Sequence, residues 1–308
     1  MSTVIEAPAT AASTAQGVPT AGKVLVGLIG AGIQRSLSPV MHEAEARAQG
    51  LQLHYQLIDL DVAGLQVEAL PSLLAAARSI GFAGLNITYP CKQNVIPLLD
   101  TLSDEAAAMG AVNTVVFKAG KAIGHNTDGS GWRWGFERAL PSADLSRVVL
   151  LGAGGAGSAI AHAVLRMGAK ALVLVDADAT RAAEAAERLN GVYPGRRAAY
   201  AATAEAALAR YAGATGLIHA TPTGMDKLPG LPLDAALLRP ELWVSEIVYF
   251  PLETALLKAA RAVGCAVSDG GTMAVGQAVG AFTHFTGLVP DALRMDAHFR
   301  RLVTARTG

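Results

Sequence analysis

Arg147-Val-Val-Leu-Leu151-Gly152-Ala-Gly154-Gly155-Ala-Gly157-Ser-Ala-Ile-Ala-His-Ala-Val-Leu-Arg-Met167-Gly168 is the stretch on which the fold turns. The apolar run 148–151 reads as a buried strand, and 155–167 reads as a helix with Gly168 as its C-terminal cap. Between them the glycines follow the pattern G-x-G-x-x-G, in the strand-to-helix setting that the pattern requires. Gly152 permits the tight turn, Gly154 lets backbone approach a pyrophosphate, and Gly157 allows close packing of helix on strand. The N–H groups at the helix start can then hold the pyrophosphate.

The next strand, 171–176, ends on Asp176, nineteen residues beyond Gly157. A carboxylate there can bond the adenosine ribose hydroxyls and repels a 2′-phosphate. Ala177-Asp178 follows where an NADP reader would place an arginine, so NAD is favoured. Arg181 begins the helix 180–189, capped by Thr180 or Asp178, and its reach toward the ribose or a phosphate leaves NADP open.

The same rhythm extends both ways. Downstream, 216–219 and 242–247 read as strands, and 254–263, 272–286 and 291–306 as helices. Upstream, strands at 24–29, 55–60 and 84–88 alternate with helices at 42–49 and 65–79, the latter irregular at Pro71. Runs at 112–117 and 122–125 flank a turn at Gly120. The fold class is α/β: an N-terminal α/β substrate domain built on a mostly parallel sheet, and a Rossmann-type dinucleotide-binding domain, with a cleft between them. The expected boundaries are a flexible tail at 1–20, a substrate domain at 21–128 completed by helices in 272–308, and a dinucleotide domain at 129–271. Gly30-Ala-Gly32 also follows a strand, but Arg35 stands at the third glycine position, so that loop goes to the substrate domain.

Bulk composition narrows the function. The 308 residues are 52% hydrophobic, with 25 basic and 25 acidic side chains, so no global field draws nucleic acid or anionic lipid. Cys91 and Cys265 form neither a disulfide framework nor a metal cluster, and read as unpaired thiols in a reducing compartment. No secretory signal or membrane-length apolar run stands out, which places the chain in the cytoplasm. His42, in His42-Glu-Ala-Glu-Ala, lacks the second histidine of a zinc helix and reads as helix surface. Trp132 and Trp134 read as interdomain packing.

Three polar segments follow strands in the N-terminal half: Ser36-Leu-Ser38-Pro39, Asn86-Ile-Thr88-Tyr-Pro90-Cys-Lys92, and Asn113-Thr114 with Asn126-Thr127-Asp128. Ligands of open α/β sheets bind at the carboxyl ends of strands. Hydroxyls, amides, one lysine and one acid suit a small polyhydroxylated ligand.

These segments, in this order, resemble the shikimate/quinate dehydrogenase family. The resemblance runs on through G-A-G-G-A, Ala220-Thr-Pro-Thr-Gly-Met225, Val248-Tyr-Phe-Pro-Leu-Glu-Thr254 and Asp269-Gly-Gly-Thr-Met273 with Gln277, covering about 25–288. It implies hydride transfer between a nicotinamide cofactor and a ring hydroxyl of shikimate or quinate, giving 3-dehydroshikimate or 3-dehydroquinate. It implies that Lys92 and Asp128 form the catalytic pair, and that Ser36 and Ser38 hold the substrate carboxylate. Asn86, Thr88, Asn113 and Gln277 would meet ring hydroxyls, and Tyr249 would lie near the carboxylate and the nicotinamide. Gly152, Ala153, Gly154, Gly155 and Ala156 would hold the pyrophosphate; Asp176 and Arg181 would select the ribose; Ile247 and Gly270 would touch the cofactor. No metal is implied.

Departures are visible. Arg35 stands where the family usually has histidine, and Asp176-Ala-Asp178 replaces an NADP-reading Asn-Arg-Thr, as in the NAD-using branch. Ser38 is kept where several quinate-preferring members carry threonine. Shikimate, quinate and an amino-substituted analogue stay open as substrates, with no clear discriminator for the analogue; Lys92 and Asp128 argue against a silent dinucleotide- or metabolite-binding regulator, and Ser36, Ser38 and Asn126-Thr127-Asp128 against a methylene-tetrahydrofolate dehydrogenase. The oligomeric state is open as well, a homodimer included.

Overall fold

A computed structural model describes residues 23–210 and 213–307. The expected tail at 1–20 lies outside the described residues. The first sheet comprises β1 (Lys23–Gly30), β2 (Gln52–Asp59), β3 (Gly84–Ile87), β4 (Thr101–Leu102), β5 (Thr114–Lys118) and β6 (Lys121–His125), in the order β2-β1-β3-β5-β6-β4. The second comprises β7 (Arg147–Leu151), β8 (Ala171–Val175), β9 (Arg197–Ala201), β10 (Gly216–His219), β11 (Trp243–Glu246) and β12 (Val267–Ser268), in the order β12-β11-β10-β7-β8-β9.

Every pairing in the second sheet is parallel. Its order is the doubly wound one, with the direction of winding reversing between β7 and β10. The apolar run of β7 serves two cores at once: Val148 and Leu150 enter one cluster with Ile160, Val164 and Leu172, while Val149 and Leu151 enter another with Val173, Leu217 and Val244. A parallel strand covered on both faces needs this continuous apolarity. Leu151 is in register with both Val175 and His219, and His219 with Glu246, so Gly152, Asp176, Ala220 and Ile247 leave the sheet side by side.

The first sheet is mostly parallel, through β1–β2, β1–β3 and β4–β6, but β5 runs against both of its neighbours. β5 and β6 form an antiparallel hairpin closed by Ala119 and Gly120, both at positive φ, and β5 also runs antiparallel to β3. A two-residue turn leaves no length for a crossover, so antiparallel pairing is forced. Pro71 starts a helix rather than distorting one: Leu70–Ser79 carries it in the first turn, where its missing N–H costs nothing. Likewise Pro39 opens the helix Ser38–Ala48, earlier than the periodicity implies.

Between the sheets lie two glycine-bearing helices, Asp128–Ala139 and Gly270–Thr286. A Cβ on Gly276 would sit 2.7 Å from Gly131 Cα, and one on Gly135 would press on Thr272. The axes approach closely because these positions lack side chains. Trp132 does pack at this junction, in the core of the second sheet against Phe136, with its indole N–H bonded to Ser245 Oγ at 3.0 Å. Trp134, like Tyr249, Phe250 and Leu252, packs against the cluster that holds Leu37, Met41, Val275 and Phe299. Among the described residues no helix is long and apolar enough to cross a membrane, and no group of three or more His, Cys, Asp or Glu could hold a metal ion.

Candidate active site

The carboxyl ends of both sheets face a cavity of about 430 Å³, the size of a one-ring ligand with part of a cofactor. Ser36, Ser38, Asn86, Thr88, Lys92, Asn113, Asp128, Tyr249 and Gln277 all line it, together with Ala156, Ile247 and Gly270. Gly152, Ala153, Gly154, Gly155, Asp176 and Arg181 lie outside this lining, at the ends of β7 and β8 and the starts of the helices that follow.

The centre of the site is a polar chain built from strand ends. Lys92 Nζ donates to Asp128 Oδ2 at 2.5 Å, and Asn113 Nδ2 donates to Asp128 Oδ1 at 3.0 Å. Asn113 Oδ1 accepts from the Thr127 N–H at 2.9 Å, and its Nδ2 also reaches Thr127 Oγ1 at 3.0 Å. The Asp128 side chain is 2% exposed and that of Lys92 20%, so the carboxylate is fixed while the ammonium still reaches the cavity. Asp128 opens the helix Asp128–Ala139, where the helix dipole favours a carboxylate. Asn126 Oδ1 accepts the Asp128 N–H at 2.9 Å and sets the turn into that helix.

Asn86 is committed to protein partners. Its Oδ1 accepts from the Tyr55 hydroxyl at 2.8 Å, and its Nδ2 donates to Asn113 O and Thr114 Oγ1 at 3.2 and 3.0 Å. Burial raises the Tyr55 and Tyr249 hydroxyls above their ordinary pKa, so both remain neutral donors. Tyr55 was not apparent as a site residue, because in the sequence it is one aromatic in a strand. Ser36 Oγ accepts from the Ser38 N–H at 3.2 Å, which curls the turn before the helix around the cavity's end.

His42 corrects the sequence reading. It is 1% exposed, not on the helix surface, and packs on Tyr55 with ring centroids 4.9 Å apart. Its Nδ1 lies 2.9 Å from the Ser38 carbonyl oxygen, its Nε2 has no partner, and burial lowers its pKa to about 4. The helix starts four residues before His42 and turns that face toward the sheet.

The Gly30-Ala-Gly32 loop fills its own anion position. Asp59 accepts from the N–H groups of Gly32 and Ile33 and from Gln34 Nε2, each at 3.0 Å. The Gly152 loop suits a dinucleotide. Gly152 has φ +101°, and a Cβ on Gly157 would lie 2.8 Å from the Gly152 carbonyl carbon, so neither position tolerates a side chain. A Cβ on Gly154 would meet nothing within 4 Å, which leaves open space above the uncapped start of the helix Gly155–Arg166. The residues present therefore fit a bound pyrophosphate. Asp176 Oδ2 accepts the Ala153 N–H at 2.7 Å, and Arg181 pairs with Asp176 and Asp178 at 3.3 and 3.4 Å. The two halves meet at Lys92, whose Cδ would lie 3.7 Å from a Cβ on Gly155.

A second buried pair underlies the cofactor side. His219 Nδ1 lies 2.8 Å from Glu246 Oε1, with both side chains at 0% exposure. Glu246 also accepts the N–H groups of Ile247 and Val248 and the Thr254 hydroxyl. This carboxylate pins the segment that carries Tyr249, and only the folded chain brings its donors together.

Residues 28–115 match the shikimate dehydrogenase substrate binding domain. A protein of Streptomyces avermitilis named shikimate dehydrogenase (NADP(+)) is 56% identical over 283 residues, covering 92% of this chain and 97% of that protein. The chain belongs to the shikimate/quinate dehydrogenase family. Within the family it is also 47% identical to the quinate/shikimate dehydrogenase (NAD(+)) of Corynebacterium efficiens, over 91% of this chain and 98% of that one. The solved quinate dehydrogenase of Corynebacterium glutamicum in complex with NAD superposes with a TM-score of 0.84 at 46% identity, over 91% of this chain and all of that one.

Proposed function

We propose that the protein oxidises a ring hydroxyl of shikimate or quinate with NAD, Lys92 and Asp128 serving as the proton-transfer pair. The observation that carries this reading is the 2.5 Å contact between Lys92 Nζ and Asp128 Oδ2 inside a cavity that reaches Ala156, in the first turn of the helix that follows the Gly152 loop. When bound, the nicotinamide supplies the hydride acceptor for the alcohol carbon. The protein's task is the hydroxyl proton. Asp128, held by Asn113, fixes the ammonium of Lys92 beside the reacting oxygen. As the hydride leaves, Lys92 passes a proton to the Asp128 carboxylate and takes the hydroxyl proton in its place, so that the lysine stays a donor to the developing alkoxide and Asp128 ends protonated. In the reverse direction the same ammonium protonates the oxygen. Thr88, Asn113 and Gln277 orient the ring, and Ser36 and Ser38, which line the same cavity, receive the carboxylate.

Preference for NAD is supported by charge at the end of β8. Arg181 is shared between Asp176 and Asp178, so the cluster keeps a net negative charge where a 2′-phosphate would lie. The cytoplasm suits two buried, unpaired thiols, of which Cys91 is pushed up to about 11 by burial. The test is a four-way initial-rate assay pairing each acid with NAD or NADP. Turnover with NAD well above NADP is expected; a clear preference for NADP overturns the cofactor assignment, and no turnover in any pairing overturns the reaction.

A further inference from the structure

We propose that Arg35 reads the substrate carboxylate, and that Asp226 parks its guanidinium at the mouth of the cleft until that carboxylate arrives. The inference rests on the assignment of Ser36 and Ser38 to the carboxylate end of the substrate. Arg35 precedes Ser36 directly and lines the same cavity as both serines.

Its acid partner comes from the other half of the molecule. Arg35 Nη1 stands 3.5 Å from Asp226 Oδ2, on the segment that follows β10, and the two side chains are 66% and 51% exposed. An exposed pair at that separation contributes little, so a ligand carboxylate can displace Asp226 at small cost. Arg35 does not depend on Asp226 to stay in place. Its guanidinium lies over the Phe250 ring, 5.8 Å from the centroid, and Arg306 covers the same ring at 5.7 Å while its Nη1 donates to the Arg35 carbonyl at 2.7 Å. Cation–π contact with Phe250 therefore keeps the cation at the mouth when the carboxylate of Asp226 is removed.

Charge then dictates opposite signs for the two positions. Loss of the Arg35 cation weakens capture of an acid; loss of the Asp226 anion removes a competitor for Arg35 and a repulsion against the incoming acid. A plain latch between the two halves would give the same sign for both.

The experiment measures KM and kcat for shikimate, quinate and the methyl ester of each, in wild type, Arg35→Gln and Asp226→Asn, at low and high ionic strength. Arg35→Gln is expected to raise KM for the acids about two- to fivefold, with the change on KM rather than kcat, and to leave KM for the esters unmoved. Asp226→Asn is expected to lower KM for the acids, and both effects shrink with salt. Shifts of equal sign in the two variants, or an ester as affected as its acid, overturn the assignment. No turnover of either acid by wild type overturns the reaction and this inference together, whereas turnover with an unchanged KM in Arg35→Gln overturns this inference alone.

Discussion

Replacing Lys92 with alanine separates chemistry from folding. The substitution removes the ammonium that lies 2.5 Å from Asp128 Oδ2 and leaves Asp128 Oδ1 bonded to Asn113. A positioned general acid/base contributes about 10²–10⁴ in rate, so kcat should fall by that factor. The structural cost is smaller. The stranded carboxylate loses one of two side-chain partners, at about 1–3 kcal/mol, and water can enter along the path left by a side chain that is itself 20% exposed. Lys92→Ala should therefore still unfold cooperatively in urea at a lowered midpoint. On the proposed proton-transfer pairing of Lys92 with Asp128, Asp128→Asn should cost a similar factor, and the double variant little more than either single one. Initial rates at saturating substrate, with urea denaturation of the same preparations, test this. Lys92→Ala within about threefold of wild-type kcat, or costs that multiply in the double variant, would refute the reasoning.

Three further outcomes follow from the structure. Asp176→Asn keeps an acceptor for the Ala153 N–H but removes the charge at the end of β8, so the ratio of kcat/KM for NAD over NADP should fall about tenfold, the scale of one charged hydrogen bond; an unchanged ratio in parallel assays would show that Asp176 does not read the ribose. Gly276→Ala forces a methyl to within 2.7 Å of Gly131 Cα, so thermal denaturation should show a loss of about 1–3 kcal/mol, while wild-type stability would mean that the two helices separate freely. Burial holds His42 neutral down to about pH 4 against an ordinary value of 6.5, so the native state binds fewer protons than the unfolded chain between those values. Stability therefore falls as pH drops through that window, by up to about 1.4 kcal/mol per unit, and urea midpoints of His42→Gln should fall less than those of wild type between about pH 7 and pH 5.

The second sheet was legible because its signals are local. Gly152, Gly154 and Gly157 sit between an apolar strand and a helix, and Asp176 closes the next strand. The polar cluster was legible as an inventory but not as a circuit. Lys92 and Asp128 are 36 residues apart, and the pairing of β3 with β5 and of β5 with β6 brings Lys92 and Asn113 to the same carboxylate. Helix Asp128–Ala139 was not apparent, since Gly129, Gly131 and Gly135 lower helical propensity. Gly131 and Gly135 make room for Gly270–Thr286, and Gly129 for Ala159 and Met109, demands no local pattern displays. His42 is hidden for a related reason: a histidine followed by Glu43-Ala-Glu45-Ala46 reads as solvated until Tyr55 covers it. The His219–Glu246 pair depends on two neighbouring parallel strands ending in register, which a one-dimensional reading cannot supply.

Hydride transfer itself is tested most directly by isotope. Shikimate or quinate carrying deuterium at the alcohol carbon is incubated with the wild-type protein and NAD, and the reduced cofactor is examined by mass spectrometry. Reduced cofactor that carries the deuterium, formed in equal amount with the ketone, is the predicted result; unlabelled reduced cofactor, or label lost to water, would contradict direct transfer in this cleft.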